Sequence, residues 1–130
     1  MERNIVRTPE APAAIGPYSQ AVVVPVGDRT MVFCSGQIAL DPKSGAMVGG
    51  GVEAETRQVL ANLGAVLSAA GAGFGHVVRT TIFLASMDDF AAVNALYGEK
   101  FVHDPPARVT VQAAKLPRGA LVEIDAIAVF

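Results

Sequence analysis

The sequence predicts a single α+β domain, a β-sheet with two helices on one face, spanning residues 1–130. Three observations predict it. Apolar residues alternate with a period of two near both ends of the chain. Two interior stretches follow the helical period instead. No repeat, low-complexity tract or linker divides the 130 residues, a length that suits one domain with its own core.

"RNIVR" reads as an edge strand, followed by the proline-punctuated loop "APAAIGPYS". "QAVVVPV" reads as a strand that Pro25 ends, and "TMVFCSGQI" as its partner across the turn "VGDR". "LDPKSGAMVGGG" is dense in turn residues and reads as a loop. From Val52 to Ala70 the period changes. Val52, Val59, Leu60, Leu63, Val66, Leu67 and Ala70 form a helical stripe, with Glu53, Glu55 and Arg57 off it. Gly71 and Gly73 stop this helix. "HVVRTTIFLA" is a nearly apolar strand. Ser86 then suits the N-cap of a second helix, with Asp88 and Asp89 in its first turn. Phe90, Val93, Asn94 and Tyr97 share one face of that helix. The tail reads as a hairpin of "RVTVQAA" and "ALVEIDAIAVF" joined through "KLPRG", so the element order is β-β-β-α-β-α-β-β.

Composition limits the function classes. Apolar residues make up 52% of the chain and charged residues 17%, and the net charge is −2. Such a chain has no basic field to attract nucleic acid or an anionic membrane surface. Cys34 is the one cysteine, so no internal disulfide forms, and its apolar neighbours make it a core residue. His76 and His103 are far apart and lack metal-ligand spacing, so no metal is expected. "VGGGVEAE" lacks the lysine and hydroxyl of a phosphate loop and reads as a flexible connection. With no apolar signal-peptide core and no membrane-length run, a cytoplasmic location is expected.

Arg108 stands out, opening a β-branched run just after two prolines and an alanine. Alternation puts Arg108, Thr110 and Gln112 on one face of their strand, opposite Val109 and Val111. In the last strand, Val122, Ile124, Ala126 and Ala128 make the face expected to meet the helices. Glu123 and Asp125 point the other way, among Leu121, Ile127 and Val129. Charges set among large aliphatics imply that a second subunit covers this face and that the charges line a cleft.

The motifs "AIGPYSQA", "SGQIALDP", "TTIFLASMDDFAAVNALY", "PARVTV" and "LPRGALVEIDAIAV" resemble, in order, those of the RidA (YjgF) family. The resemblance covers nearly the whole chain from Pro12 onward. It implies a chorismate-mutase-like fold and a homotrimer with a central β-barrel and clefts between subunits. It also implies hydrolysis of 2-imino or enamine acids to 2-oxo acids and ammonia, without metal or cofactor.

Carried over by motif, Arg108 of "PAR" grips the substrate carboxylate, to whose two oxygens a guanidinium's paired donors are matched. Glu123 of "VEI" is placed near a water at the imine carbon. Tyr18, Ser35, Gly36 and Asn94 fall at pocket positions of the family. Two departures stand beside these. Thr110 occupies a position where many members have cysteine, which keeps a hydrogen bond but excludes a thiol. The loop "FVHDPPAR" is shorter than in several members, and Pro106 replaces an aromatic residue, which bears on pocket size. Structural alternatives remain: Glu123 as an ion-pair partner across the trimer interface, Tyr18 and Asn94 as structural hydrogen-bonders, and Arg108 as a strand-end surface charge. Three function classes follow: an imine deaminase, a non-catalytic binder of a 2-oxo or amino acid, and a ribonuclease or translation inhibitor. The acidic balance and the absence of an aromatic stacking platform disfavour the last.

Overall fold

The computed structural model describes residues 1–130 as six strands and two α-helices. They are β1 (Asn4–Val6), β2 (Ala21–Val26), β3 (Arg29–Gln37), α1 (Gly51–Ala69), β4 (Val77–Leu84), α2 (Phe90–Lys100), β5 (Ala107–Gln112) and β6 (Val122–Val129). The element order is the one the sequence predicts. The strands form one sheet in the order β1-β2-β3-β6-β4-β5.

The tail is not a hairpin. β5 pairs in parallel with β4, while β6 lies between β3 and β4 and runs antiparallel to both. Parallel neighbours need a crossover, and α2 supplies it between β4 and β5. The connection from Ala113 to Leu121 is long enough to carry the chain past β4 to the middle of the sheet. Closeness in sequence favoured the hairpin; the apolar inner face of β6 favours a central position, and that wins.

Val122, Ile124, Ala126 and Ala128 of β6 are buried, as the alternation requires, against the α1 stripe of Val59, Leu60, Leu63, Val66 and Leu67. Cys34 joins this core. Burial, and secondarily the charge of Asp125, pushes its thiol up to about 12. No helix is long and apolar enough to cross a membrane.

Several local readings change in the structure. Glu55 lies off the apolar stripe yet is buried, because its Oε1 accepts a hydrogen bond from the Leu121 N–H at 3.0 Å. Pro25 lies inside β2, opposite Thr30, rather than ending it. β1 covers only Ala21–Val23, so that side of β2 is already an open edge where a proline is tolerated. The glycine run is a defined turn into α1: Gly50 (φ 106°) and Gly51 (φ 88°) hold left-handed conformations. Ser86 accepts from the Asp88 N–H at 3.2 Å, capping a 3₁₀ turn (Met87–Asp89) that runs on into α2.

Two buried amides pin the loops around the sheet. Gln20 accepts from the Thr8 N–H and donates to the carbonyls of Thr8 and Pro12, fastening the N-terminal loop. Asn62 of α1 donates to the carbonyls of Ile38 and Leu40 at 3.2 and 2.9 Å and accepts from Gln58. Asn62 is fully buried, so its removal would leave the Leu40 carbonyl dry and unpaired and the Ile38 carbonyl with only the Leu40 N–H. Asn62→Ala should lower stability by about 2–4 kcal/mol. Urea unfolding would show this as a lower midpoint at unchanged slope. An unshifted midpoint would mean that water or a rearranged loop satisfies those carbonyls.

Candidate active site

β3 carries an irregularity where it meets β6. Cys34 pairs with Ala126 and Gln37 with Ile124, so Ser35 and Gly36 together oppose the single residue Asp125. A bulge of this kind bends the strand and re-aims side chains, and such bulges are enriched beside active sites. Here it is also the anchor of the preceding loop. The Ser35 N–H donates to the Gln20 carbonyl at 3.0 Å, and its hydroxyl donates to the Ser19 carbonyl at 2.5 Å. That loop holds Tyr18, whose phenol accepts from the Ile15 N–H at 3.2 Å.

Together Ile15, Tyr18, Ser35, Gly36, Ile38, Pro117 and Glu123 line an open cavity of about 420 Å³. A neighbouring hollow of about 340 Å³ lies behind the same loop, between it and β1. The hollow's lining contains no carboxylate.

Glu123 is the one acid in that cavity. Half-buried, its carboxyl is held above the usual carboxylate range, first by desolvation and then by the neighbouring charge of Asp125. Asp125 is itself fixed, accepting a hydrogen bond from the Thr81 N–H at 3.0 Å. Gly36 makes room for the acid. A methyl group on Gly36 would fall on Glu123 Oε2 well inside contact distance, and within 3.0 Å of Cδ. The glycine of "SGQ" is therefore required by space, not by backbone conformation.

Arg108 lies elsewhere. It pairs with Thr80, which is fully buried and which also pairs with Ala126, so Arg108 is on the helix side of the sheet. Its guanidinium carbon lies over the ring of Tyr97 at 5.0 Å and that of Phe90 at 5.7 Å, both on α2. Thr110, two residues on and on the same side, has a buried hydroxyl without a hydrogen-bond partner. Asn94 falls between Phe90 and Tyr97 at helical spacing, half-buried on that side of α2.

The predicted site residues thus form two groups. Tyr18, Ser35, Gly36 and Glu123 converge on one cavity, whereas Arg108, Thr110 and Asn94 gather on α2 and the edge strand β5. Alternation left open which side of the sheet Arg108 takes. The register answers it: Val109 and Val111, with Thr81 and Phe83, share the side of Asp125 and Glu123. The helical period marks Tyr97 and Phe90 only as members of a helix face. Their signal is Thr80, a hydroxyl on the buried face of β4 with Ile82 and Leu84, which needs a buried partner and finds it in the Tyr97 phenol at 2.6 Å.

Residues 8–130 match the family model described as Endoribonuclease L-PSP. The chain is 57% identical over 129 residues to Protein DfrA of Myxococcus xanthus, covering 99% of this chain and 97% of that protein. It is 55% identical over 127 residues to the mouse protein named 2-iminobutanoate/2-iminopropanoate deaminase, covering 98% and 91% respectively. A crystal structure from Thermotoga maritima, 48% identical, matches the fold with a TM-score of 0.93 over 100% of this chain and 98% of that one.

Gly36→Ala tests how the bulge sets the acid. The atom in the way is the end of a flexible side chain, so the stability cost should stay at about 1 kcal/mol or less. The carboxylate should swing to another rotamer, which a crystal structure of the variant would display. A Glu123 carboxylate left in place would show that something other than Gly36 determines its position.

Proposed function

The chain belongs to the Endoribonuclease L-PSP family, known also as RidA or YjgF, and we propose that it hydrolyses reactive 2-imino and enamine acids to 2-oxo acids and ammonia. One observation carries the reading: an arginine held by aromatic faces, its cationic edge uncommitted, in a chain whose cavity holds a single acid with its proton affinity raised by burial. The relatives named 2-iminobutanoate/2-iminopropanoate deaminase support it, at 50–55% identity over nearly the whole chain.

The chemistry asks little of the protein. Water adds to the imine carbon, a proton moves to nitrogen, and the carbon–nitrogen bond breaks to leave a ketone and ammonia. Glu123, with its affinity for a proton raised, is suited to take one from the attacking water and return it to the departing nitrogen. Arg108 is suited to hold the carboxylate, placing the imine carbon for attack. Tyr18 and Ser35 shape the wall opposite, and Thr110 offers an uncommitted hydroxyl.

Arg108 and Glu123 lie on opposite sides of one sheet, so a site using both draws them from two copies of the chain. A homotrimer with clefts between subunits meets that need. It also covers the outer sheet face, where Phe33, Val109 and Val111 are each about 40% exposed. The binder reading keeps the same cleft and lacks only turnover. The ribonuclease implied by the family description finds little support in a chain where 12 acidic residues outnumber 10 basic ones.

Arg108→Ala should lower imine hydrolysis at least about tenfold, from the loss of a charge-assisted contact of roughly 1.5–3 kcal/mol. Arg108→Lys should restore only part of it. Coupling the purified protein to an amino-acid oxidase and following imine decay measures both, and no acceleration by the parent protein would end the enzyme reading. Light scattering should report a trimer for every variant. Arg108→Ala and Glu123→Gln chains, each impaired alone, should regain activity when refolded together, because mixed trimers contain a cleft with both native residues. Failure of well-assembled mixtures to recover would show that the two residues do not share a cleft.

A further inference from the structure

The acid and the cavity explain how a proton is handled, but not why a long, flexible arginine at a sheet edge should stand still. Its surroundings give the reason. The guanidinium carbon lies 5.0 Å from the centre of the Tyr97 ring and 5.7 Å from that of Phe90. Tyr97 is itself immobilised. Its phenol bonds Thr80 Oγ1 at 2.6 Å, and Thr80 is the residue that pairs with Arg108 across the β4–β5 ladder. Its ring packs on Phe101 at 4.3 Å, and Phe101 meets Phe74 edge-on at 5.3 Å. The ring under the arginine is thus tied both to the strand beside it and to the core.

We propose that Tyr97 and Phe90 are positioning residues, an aromatic cradle that fixes the Arg108 guanidinium while leaving its N–H donors free for a carboxylate ligand. Holding the same group with an aspartate or glutamate would occupy paired donors and cancel the charge that a substrate carboxylate needs. A ring face attracts the cation through its quadrupole and accepts none of those in-plane hydrogen bonds. Burial, the larger influence, pushes the Tyr97 phenol up, so the ring stays neutral at physiological pH. The division of labour between α2 and β5 follows: the helix supplies the faces, the strand the cation.

The carboxylate role rests on the proposed function, but the cradle itself does not, and the experiment separates them. Three variants are compared with the parent protein: Tyr97→Leu, Tyr97→Phe and Phe90→Leu. Phe90 is 36% exposed, so its substitution leaves the core intact even if Tyr97→Leu folds poorly. The first readout is the NMR order parameter of the Arg108 Nε–Hε group, without ligand. It should fall from about 0.85 toward 0.6 in the leucine variants and hold in Tyr97→Phe. The second is calorimetric binding of 2-oxobutanoate, which should weaken about fivefold in the leucine variants and less than about twofold in Tyr97→Phe. In turnover, the same loss should appear in KM with kcat nearly unchanged. An undiminished order parameter in the leucine variants overturns the cradle. A parent protein that neither binds the 2-oxo acid nor hydrolyses imines instead overturns the carboxylate reading, while the order parameter still decides the cradle.

Discussion

The position of β6 is the constraint on which the rest of the structure depends. A central strand must satisfy two neighbours and two faces at once, and the alternation of β6 does so in eight residues. One face is the floor of the helical core. The other carries Glu123 and Asp125 to the middle of the sheet. Because β6 meets β3 through a bulge, Glu123 comes to rest against Gly36, and the loop that bears Tyr18 is tied to the same bulge through Ser35. Because β6 also separates β3 from β4, the edge strand with Arg108 is pushed to the far side of the sheet from that bulge. The grouping of the candidate residues is a result of strand order more than of any single side chain.

Much of this was legible in the sequence, and the reasons for the rest are physical. Element order and the buried face of β6 follow from periodicity, which reports directly on which residues must leave water. Strand order does not, since a pairing partner is chosen by the whole sheet; hence the apparent hairpin of β5 and β6. Glu55 defeated the apolar stripe because a buried carboxylate needs only one well-placed donor, here the Leu121 N–H, and no pattern within α1 announces it. The motif residues Tyr18, Ser35, Gly36 and Glu123 meet in one cavity, while Arg108, Thr110 and Asn94 of the same motif set lie apart from it within the chain. Why Gly36 is a glycine was not legible, because the side chain that claims its space comes from a strand more than eighty residues away.

Electrostatics divides the two halves of the candidate site. Glu123 is set by desolvation, with a second acid close by, and both influences favour the proton. Arg108 keeps its charge whatever its surroundings, so its environment can control only place and availability. The protein therefore tunes one group in energy and the other in geometry. Neither device needs a metal ligand set or a nucleophilic triad, and this is consistent with a reaction whose uncatalysed barrier is low.

Cys34 shows another side of the same economy. Its side chain faces the core, and its thiol ionises only near pH 12. Thiolate is the form of cysteine that attacks electrophiles and oxidants, so at physiological pH the chain presents essentially no thiolate. Thr110, on the side of Arg108, adds a hydroxyl and no thiol. If the chain turns over electrophilic imines as proposed, its cysteine is thereby spared alkylation and sulfenic acid formation.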